Sequence, residues 1–147
     1  MGVDLGKAGC YLAGLLLGVA WWICADAAGS AAYLHSNISF DFVKYLPGIM
    51  STLAFFLVNT LEWGMLSEDA RFLYGPGVAT RARCFVLFCI TILLAALVGS
   101  ILVLTHTYVN NKFNESTWPG VAIVLQNVCI LLGTFVMRVG TIAAATT

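Results

Sequence analysis

Charged side chains are scarce in this sequence. Only 10% of its 147 residues are Asp, Glu, Lys or Arg, and seven basic residues balance seven acidic ones. Soluble domains carry roughly 25% charged residues, so a chain with this composition lacks the side chains that would cover a water-exposed surface. The neutral balance gives no basic footprint for a nucleic acid. The scarcity of charge therefore predicts a membrane protein and argues against a nucleic-acid partner.

Signatures of catalysis and of metal binding are also missing. The sequence has no nucleophile elbow, HExxH motif, P-loop or zinc-type Cys/His spacing. Its cysteines lie within or beside apolar stretches, which does not suggest a disulfide framework; they are Cys10, Cys24, Cys84, Cys89 and Cys129. The loops are too short to hold an active-site domain. We therefore predict a protein that is not an enzyme and that needs no cofactor or metal.

What the sequence does contain is four long apolar stretches, at about residues 9–34, 47–66, 83–109 and 119–140. A helix needs about 20 mainly apolar residues to cross a bilayer. Pro47-Gly48 and Pro119-Gly120 open the second and fourth stretches, and proline suits the first turn of a helix. The stretches lack a polar face, which disfavours a buried bundle in a soluble protein. We predict an all-α, single-domain bundle of four transmembrane helices over residues 1–147.

The distribution of basic residues predicts the orientation. Four crossings place both termini on one side of the membrane, and most basic residues share that side: Lys7, Arg71, Arg81, Arg83 and Arg138. Only Lys44 and Lys112 fall on the other side. The positive-inside rule then places the termini in the cytosol. Two possible glycosylation sites, Asn37 and Asn114, lie in the loops assigned to the lumen, as this orientation requires.

Several polar or charged residues interrupt the apolar stretches: Asp26, Asn59, Glu62, Gln126, Asn127 and Arg138. An ionised group at the centre of a bilayer costs about 2.5–3.5 kcal/mol or more, so each needs a partner. We expect Asp26 to hydrogen-bond with Gln126 and Asn127, which lie at a comparable depth, and Glu62 to pair with Arg138 or Arg83. These groups would hold the bundle together or contact a partner chain. In the alternative interpretation, Asp26 binds the proton or cation that drives a coupled transport reaction.

Small residues at four-residue spacing mark two possible helix contacts. Gly14 and Gly18 form a GxxxG pattern in the first stretch, and Ala95 and Gly99 form a similar pattern in the third. Such spacing lets two helix backbones approach closely. Packing within one chain and packing between chains both explain it.

Taken in order along the chain, these residues resemble the transmembrane protein 50 family, which includes the fungal vacuolar protein sorting 68 proteins. The resemblance runs from about Ala20 to Gly140. It rests on the following residues: Trp21-Trp22, Asp26-Ala27-Ala28, Gly48, Asn59, Ala82-Arg83, Pro119-Gly120, Gln126-Asn127, Gly133, Arg138 and Gly140. Glu62 and the Ala-Thr-rich C-terminus depart from the family pattern, so the pairing expected for Glu62 has no support from the resemblance.

The resemblance implies a scaffold or partner subunit in traffic from the late endosome to the vacuole or lysosome, in membranes of the endosome, Golgi or endoplasmic reticulum. It implies a second small four-helix membrane protein as partner, of the vacuolar protein sorting 55 or leptin receptor overlapping transcript type. Two alternatives stay open: an accessory subunit of a larger membrane complex, and a small proton-coupled transporter that uses Asp26.

Overall fold

The computed structural model describes residues 5–66, 72 and 74–146, and within them the chain forms helices and no strand. Four long α-helices lie within the described residues: α1 (Leu5–Tyr33), α2 (Phe42–Asn59), α3 (Val78–Val103) and α4 (Trp118–Thr146). A 3-10 turn, Trp63–Leu66, follows α2, and α3 continues into a π-helical segment, Leu104–Val109. All four helices are long and apolar enough to cross a membrane. The predicted all-α membrane fold is confirmed.

The second helix differs most from its predicted bounds. It begins at Phe42 rather than at about residue 47, so Pro47 lies inside the helix, where its missing N–H leaves the Val43 carbonyl without the usual helical donor. The helix ends at Asn59, and the apolar residues beyond it continue as the 3-10 turn. Hydropathy reports where apolar residues occur, not where the backbone stops being helical. The other three helices begin one to five residues earlier than predicted.

α4 is the central helix of the bundle. It packs against each of the other three helices, whereas α1 packs chiefly against α4 alone and α2 packs against α3 and α4. The buried core joins small and large residues from all four helices: Ala13, Ala20, Ala54, Phe55, Leu93 and Ile130. Alanine in the contact faces lets helix axes approach closely, which is how membrane helices gain packing energy.

Two glycines, Gly9 and Gly120, mark close helix approaches that the sequence analysis did not predict. A Cβ built on Gly9 would lie 2.9 Å from Cα of Gly140, so α1 and α4 touch backbone to backbone near the chain termini. A Cβ on Gly120 would lie 2.6 Å from Cδ2 of Tyr108, so the start of α4 presses on the π-helical segment. Any larger residue at these positions would push the helices apart.

The glycines that were predicted to pack are not at contacts within the described part of this chain. Among the described residues, no atom lies within 4 Å of a Cβ built on Gly14, Gly18 or Gly99. The hypothesis of packing within one chain is therefore wrong for these three glycines. The reason is rotational: the face of α1 that meets α4 carries Ala13 and Ala20, and Gly14 and Gly18 lie on the other side of the helix.

Candidate functional site

A layer of buried polar side chains joins α2 to α4 in the middle of the bundle. The Ser51 hydroxyl donates to Oδ1 of Asn127, and Nδ2 of Asn127 donates to the Ile123 carbonyl at 2.9 Å. Ser51 and Asn127 are each 1% exposed. A hydrogen bond between membrane helices contributes about 0.6–2 kcal/mol, so this pair fixes the register of α2 on α4.

Gln126 belongs to the same layer, and its side chain is 0% exposed. Among the residues that the structure describes, neither its Nε2 nor its Oε1 has a hydrogen-bond partner. The amide lies on Gly48 of α2, where a built Cβ would come within 2.4 Å of Nε2. Glycine at position 48 is therefore required by the volume of the Gln126 amide. Burying an amide without a hydrogen bond costs about 1–3 kcal/mol in proteins.

A third contact of this layer connects α1 to α2. Nε1 of Trp21 donates to the Thr52 hydroxyl at 3.1 Å, and that hydroxyl donates to the Gly48 carbonyl at 2.7 Å. Sequence reasoning missed Ser51 and Thr52. Their spacing of three and four residues from Gly48 was the available signal, because residues so spaced share one face of a helix.

Asp26 does not join the buried polar layer, and the predicted hydrogen bond to Gln126 and Asn127 is wrong. Its side chain is exposed, and Oδ2 accepts a hydrogen bond from Nε1 of Trp118 at 3.0 Å. Trp118 is the first residue of α4, whereas Gln126 lies eight residues, or roughly 12 Å, further along the helix. Asp26 therefore faces the outside of the bundle, where the indole of Trp118 reaches it, and not the buried polar layer.

The polar groups predicted to pair near the ends of α2 and α4 have other partners. Oε2 of Glu62 accepts a hydrogen bond from the Tyr74 hydroxyl at 2.9 Å, which raises the pKa of Tyr74. Nη1 of Arg138 donates to the Leu61 carbonyl at 2.9 Å. Arg138 therefore holds the main chain beside Glu62, because the helix has ended and the carbonyl of Leu61 is no longer used by the helical ladder.

The remaining predicted residues of this region are dispersed. Nη2 of Arg83 donates to the Leu66 carbonyl at 3.3 Å, in place of the expected carboxylate. Nδ2 of Asn59 donates to the Phe55 carbonyl of its own helix at 2.8 Å, and its buried Oδ1 has no hydrogen-bond partner within the described ranges. Arg71, one of the basic residues used to predict the orientation, lies outside the described residues.

At the opposite end from the termini, which we call the distal end, Glu115 joins the two loops at residues 34–41 and 110–117. Its carboxylate accepts hydrogen bonds from the Ser36 hydroxyl and, at 2.9 and 2.7 Å, from N and Nδ2 of Asn37. The Ser36 and Asn37 hydrogen bonds hold the pKa of Glu115 below its usual value. We call this cluster of Ser36, Asn37 and Glu115 the distal clasp.

The distal clasp involves residues from both predicted glycosylation sites. Asn37 is the asparagine that would carry the glycan at the first site. Glu115 is the middle residue of the second site and follows Asn114, which has a φ of 53°. Glycosylation of either asparagine stays a prediction. The sequence analysis gave no role to Glu115, because no local pattern reveals a carboxylate that binds a loop 78 residues away.

Beneath the distal clasp, a lysine lies over an aromatic ring inside the bundle. Nζ of Lys44 is 5.5 Å from the ring centroid of Tyr108, and it also donates to the Ser39 carbonyl. Lys44 is 7% exposed and Tyr108 1%. The π-helical segment carries Tyr108 into this position, and the Lys44–Tyr108 contact ties the start of α2 to the end of α3.

Comparison with known proteins gives the family. Residues 2–144 match a family described as "Uncharacterised protein family (UPF0220)". The chain belongs to this family. It is 35% identical to "Vacuolar protein sorting-associated protein 68" of Saccharomyces cerevisiae, across 89% of this chain and 79% of the yeast protein. It is also 26% identical to "Transmembrane protein 50 homolog" of Dictyostelium discoideum, across 86% of this chain and 84% of that protein.

A third relative, "UPF0220 protein C8D2.02c" of Schizosaccharomyces pombe, is 27% identical across 84% of this chain and 74% of the relative. No solved structure matches this member of the family. The resemblance drawn from the Trp-Trp, Asp-Ala-Ala, Pro-Gly and Gln-Asn segments is confirmed. The structure adds that these segments meet: Trp21 contacts Thr52, Asp26 contacts Trp118, and Gln126 lies on Gly48.

Proposed function

We propose that this protein is a non-enzymatic subunit of a membrane complex that sorts proteins between the late endosome and the vacuole or lysosome. The support is the relative named for vacuolar protein sorting, which aligns with most of this chain and most of its own length. We further propose that both termini face the cytosol and that the distal end faces the lumen, as the basic residues predict. The partner that fits is a second small four-helix protein of the vacuolar protein sorting 55 type.

The observation that carries this proposal is the open face of α1. α1 packs on α4 with one face only, and its opposite face exposes Gly14 and Gly18 with no atom near either glycine. Two aromatic residues on the same side, Tyr11 and Trp22, are each 79% exposed. Glycines at this spacing let a second helix approach closely, and flanking aromatic rings would add contact area. We assign this face of α1 to the partner.

The buried polar residues have a different role in this proposal. Asn127 and Gln126 lie inside the bundle, so they shape the protein that the partner meets and do not touch the partner. Asn59, Glu62 and Arg138 hold the end of α2 near the termini, as their hydrogen bonds to neighbouring groups indicate.

The alternative of a proton-coupled transporter loses its main support. A transport pathway places an acid near the middle of the membrane among other polar groups. Asp26 instead lies on the outside of α1, hydrogen-bonded to Trp118 and apart from the buried polar layer. An accessory subunit of a larger complex would use the same open face of α1. The test below distinguishes this role from that of a trafficking subunit by the partner that is recovered.

The test is purification of the tagged full-length protein in a mild detergent from its native membrane, followed by mass spectrometry. We expect a near-stoichiometric second four-helix protein with the wild type and its loss with Gly18→Leu. The matched control is Gly99→Leu, which also fills open space but lies on α3, and which should retain the partner. Recovery of a large enzyme complex would indicate the accessory-subunit role. Equal retention by both variants would show that α1 is not the contact.

A further inference from the structure

A cavity of about 180 Å³ opens at the distal end, between the last turn of α1 and the first turn of α4. Its polar wall is formed by three hydroxyl groups, those of Ser30, Ser36 and Ser116, by the carboxylate residue Glu115 and by the indole of Trp118. The remaining lining is apolar. Pockets for drug-sized molecules measure about 300–1,000 Å³, so this cavity suits one small chemical group.

The cavity has one acidic residue in its wall and a second acid bonded to the wall, and none of its lining residues is basic. Glu115 is in the wall, and Asp26 is hydrogen-bonded to the Trp118 that forms part of it. Asp26 also precedes Ser30 by four residues, which places both on one side of α1. An anion would be repelled from such a site, and a cation would be attracted.

The carboxylates of Glu115 and Asp26 differ in the number of hydrogen bonds that they accept. Glu115 accepts three hydrogen bonds from Ser36 and Asn37. Asp26 accepts one, through Oδ2, and its Oδ1 has no hydrogen-bond partner within the described part of the chain. Asp26 lies on a helix long enough to cross a membrane, where an ionised carboxylate without a counter-charge is costly. A cationic group beside Oδ1 would lower this cost.

The position along the membrane indicates where that cation comes from. Trp118 begins α4, and tryptophan at the end of a membrane helix lies at the level of the lipid headgroups. Phospholipids with choline or ethanolamine headgroups place an ammonium group at that level. Aromatic rings with nearby carboxylates bind such ammonium groups.

We propose that this cavity, together with Asp26, binds the ammonium headgroup of a zwitterionic phospholipid from the leaflet at the distal end. Asp26 supplies the counter-charge, Trp118 orients the carboxylate and lines the site, and the serine hydroxyls face the polar part of the headgroup. The proposal is separate from the assignment of the open face of α1 to a partner, because Gly14 and Gly18 are three and two helical turns from Asp26.

The experiment is native mass spectrometry of the purified full-length protein in detergent, titrated with phosphatidylcholine, phosphatidylethanolamine or phosphatidylglycerol. We expect one phosphatidylcholine or phosphatidylethanolamine per chain, bound about tenfold more tightly than phosphatidylglycerol, which corresponds to about 1.4 kcal/mol. Asp26→Asn should abolish this preference. The matched control is Asp41→Asn, which removes an acid of the α1–α2 loop that hydrogen-bonds to Ser39 and not to a residue of the cavity wall, and which should preserve the preference.

Further arms keep the result interpretable. Trp118→Phe keeps an aromatic ring but removes the N–H that holds Asp26, and it should weaken the preference even if Asp26→Asn proves too unstable to purify. Displacement of the lipid by free choline at matching concentration would identify a soluble amine and overturn the lipid assignment. Equal binding of phosphatidylglycerol, or an unchanged preference in Asp26→Asn, would overturn the site. So would a crosslink from residue 26 to a partner's lysine with no lipid bound.

Discussion

α1 and α4 are both 29 residues long and pack against each other along their lengths, yet they treat polar residues in opposite ways. α4 buries Gln126, Asn127 and Thr134 inside the bundle. α1 exposes Asp26 and leaves Gly14 and Gly18 in open space. Position in the bundle explains the contrast: α4 packs against three helices, whereas α1 packs chiefly against one.

The comparison teaches that a polar residue in an apolar helix has no fixed role. On a central helix it hydrogen-bonds with a neighbouring helix and stabilises the bundle, as Asn127 does with Ser51. On a peripheral helix it meets lipid or another molecule, as we propose for Asp26. The variants below test this contrast between the closed and open faces, from the largest expected effect to the smallest.

The largest effect should come from filling the closed face of α1. Gly9→Leu places a side chain against the backbone of Gly140, where a built Cβ already comes within 2.9 Å. We expect a loss of about 1–3 kcal/mol in the free energy of unfolding in detergent, the usual cost of overpacking. Gly14→Leu, on the open face, should change it little. Equal losses in the two variants would contradict the rotational assignment of α1.

The central helix offers a pair of neighbouring amides with opposite expected effects. Asn127→Leu removes the hydrogen bond to Ser51 and should lower the free energy of unfolding by about 0.6–2 kcal/mol. Gln126→Met removes an amide that has no partner and should leave stability unchanged or raise it, because the cost of its burial disappears. Destabilisation by Gln126→Met of the same size as by Asn127→Leu would show that Gln126 has a partner after all.

A smaller effect is expected where α1 meets α2. Trp21→Phe keeps the ring but removes the hydrogen bond to Thr52, so the free energy of unfolding should fall by about 0.6 kcal/mol. Trp22→Phe is the control, because Trp22 is 79% exposed. The free energy of unfolding is measured for both variants. A larger loss with Trp22→Phe than with Trp21→Phe would show that Trp22, and not Trp21, faces α2.

The smallest effect concerns pH and the distal clasp. Hydrogen bonds lower the pKa of Glu115 below its usual 4.5, so the clasp contributes stability above that pH and loses it as the pH falls through the lowered value. Thermal unfolding midpoints of the wild type and Glu115→Gln should therefore differ by a constant amount between pH 7 and pH 5. The two midpoints should converge only at a more acidic pH, and convergence already near pH 6 would contradict the lowered pKa.

Predictions from the sequence were most successful where one residue's chemistry decided the outcome by itself. Hydropathy gave the number and type of the helices, and Pro119 marked the start of α4 within one residue. Pro47 misled the prediction of α2, because the preceding turn from Phe42 is helical as well. The expected pairs of Asp26 with Gln126 and of Glu62 with Arg138 depended on depth and rotation, which single residues do not report.

By itself the sequence therefore determined a membrane-spanning, all-helical protein, its family and the small set of polar residues that need partners. Only the tertiary structure decided which partner each one has. Whether Gly14 meets a helix or open space, and whether Asp26 meets Gln126 or Trp118, depends on the rotation of α1 against α4 and on the register between the two helices. Both quantities arise from packing among all the helices at once, through contacts such as Gly9 on Gly140, and not from any local pattern.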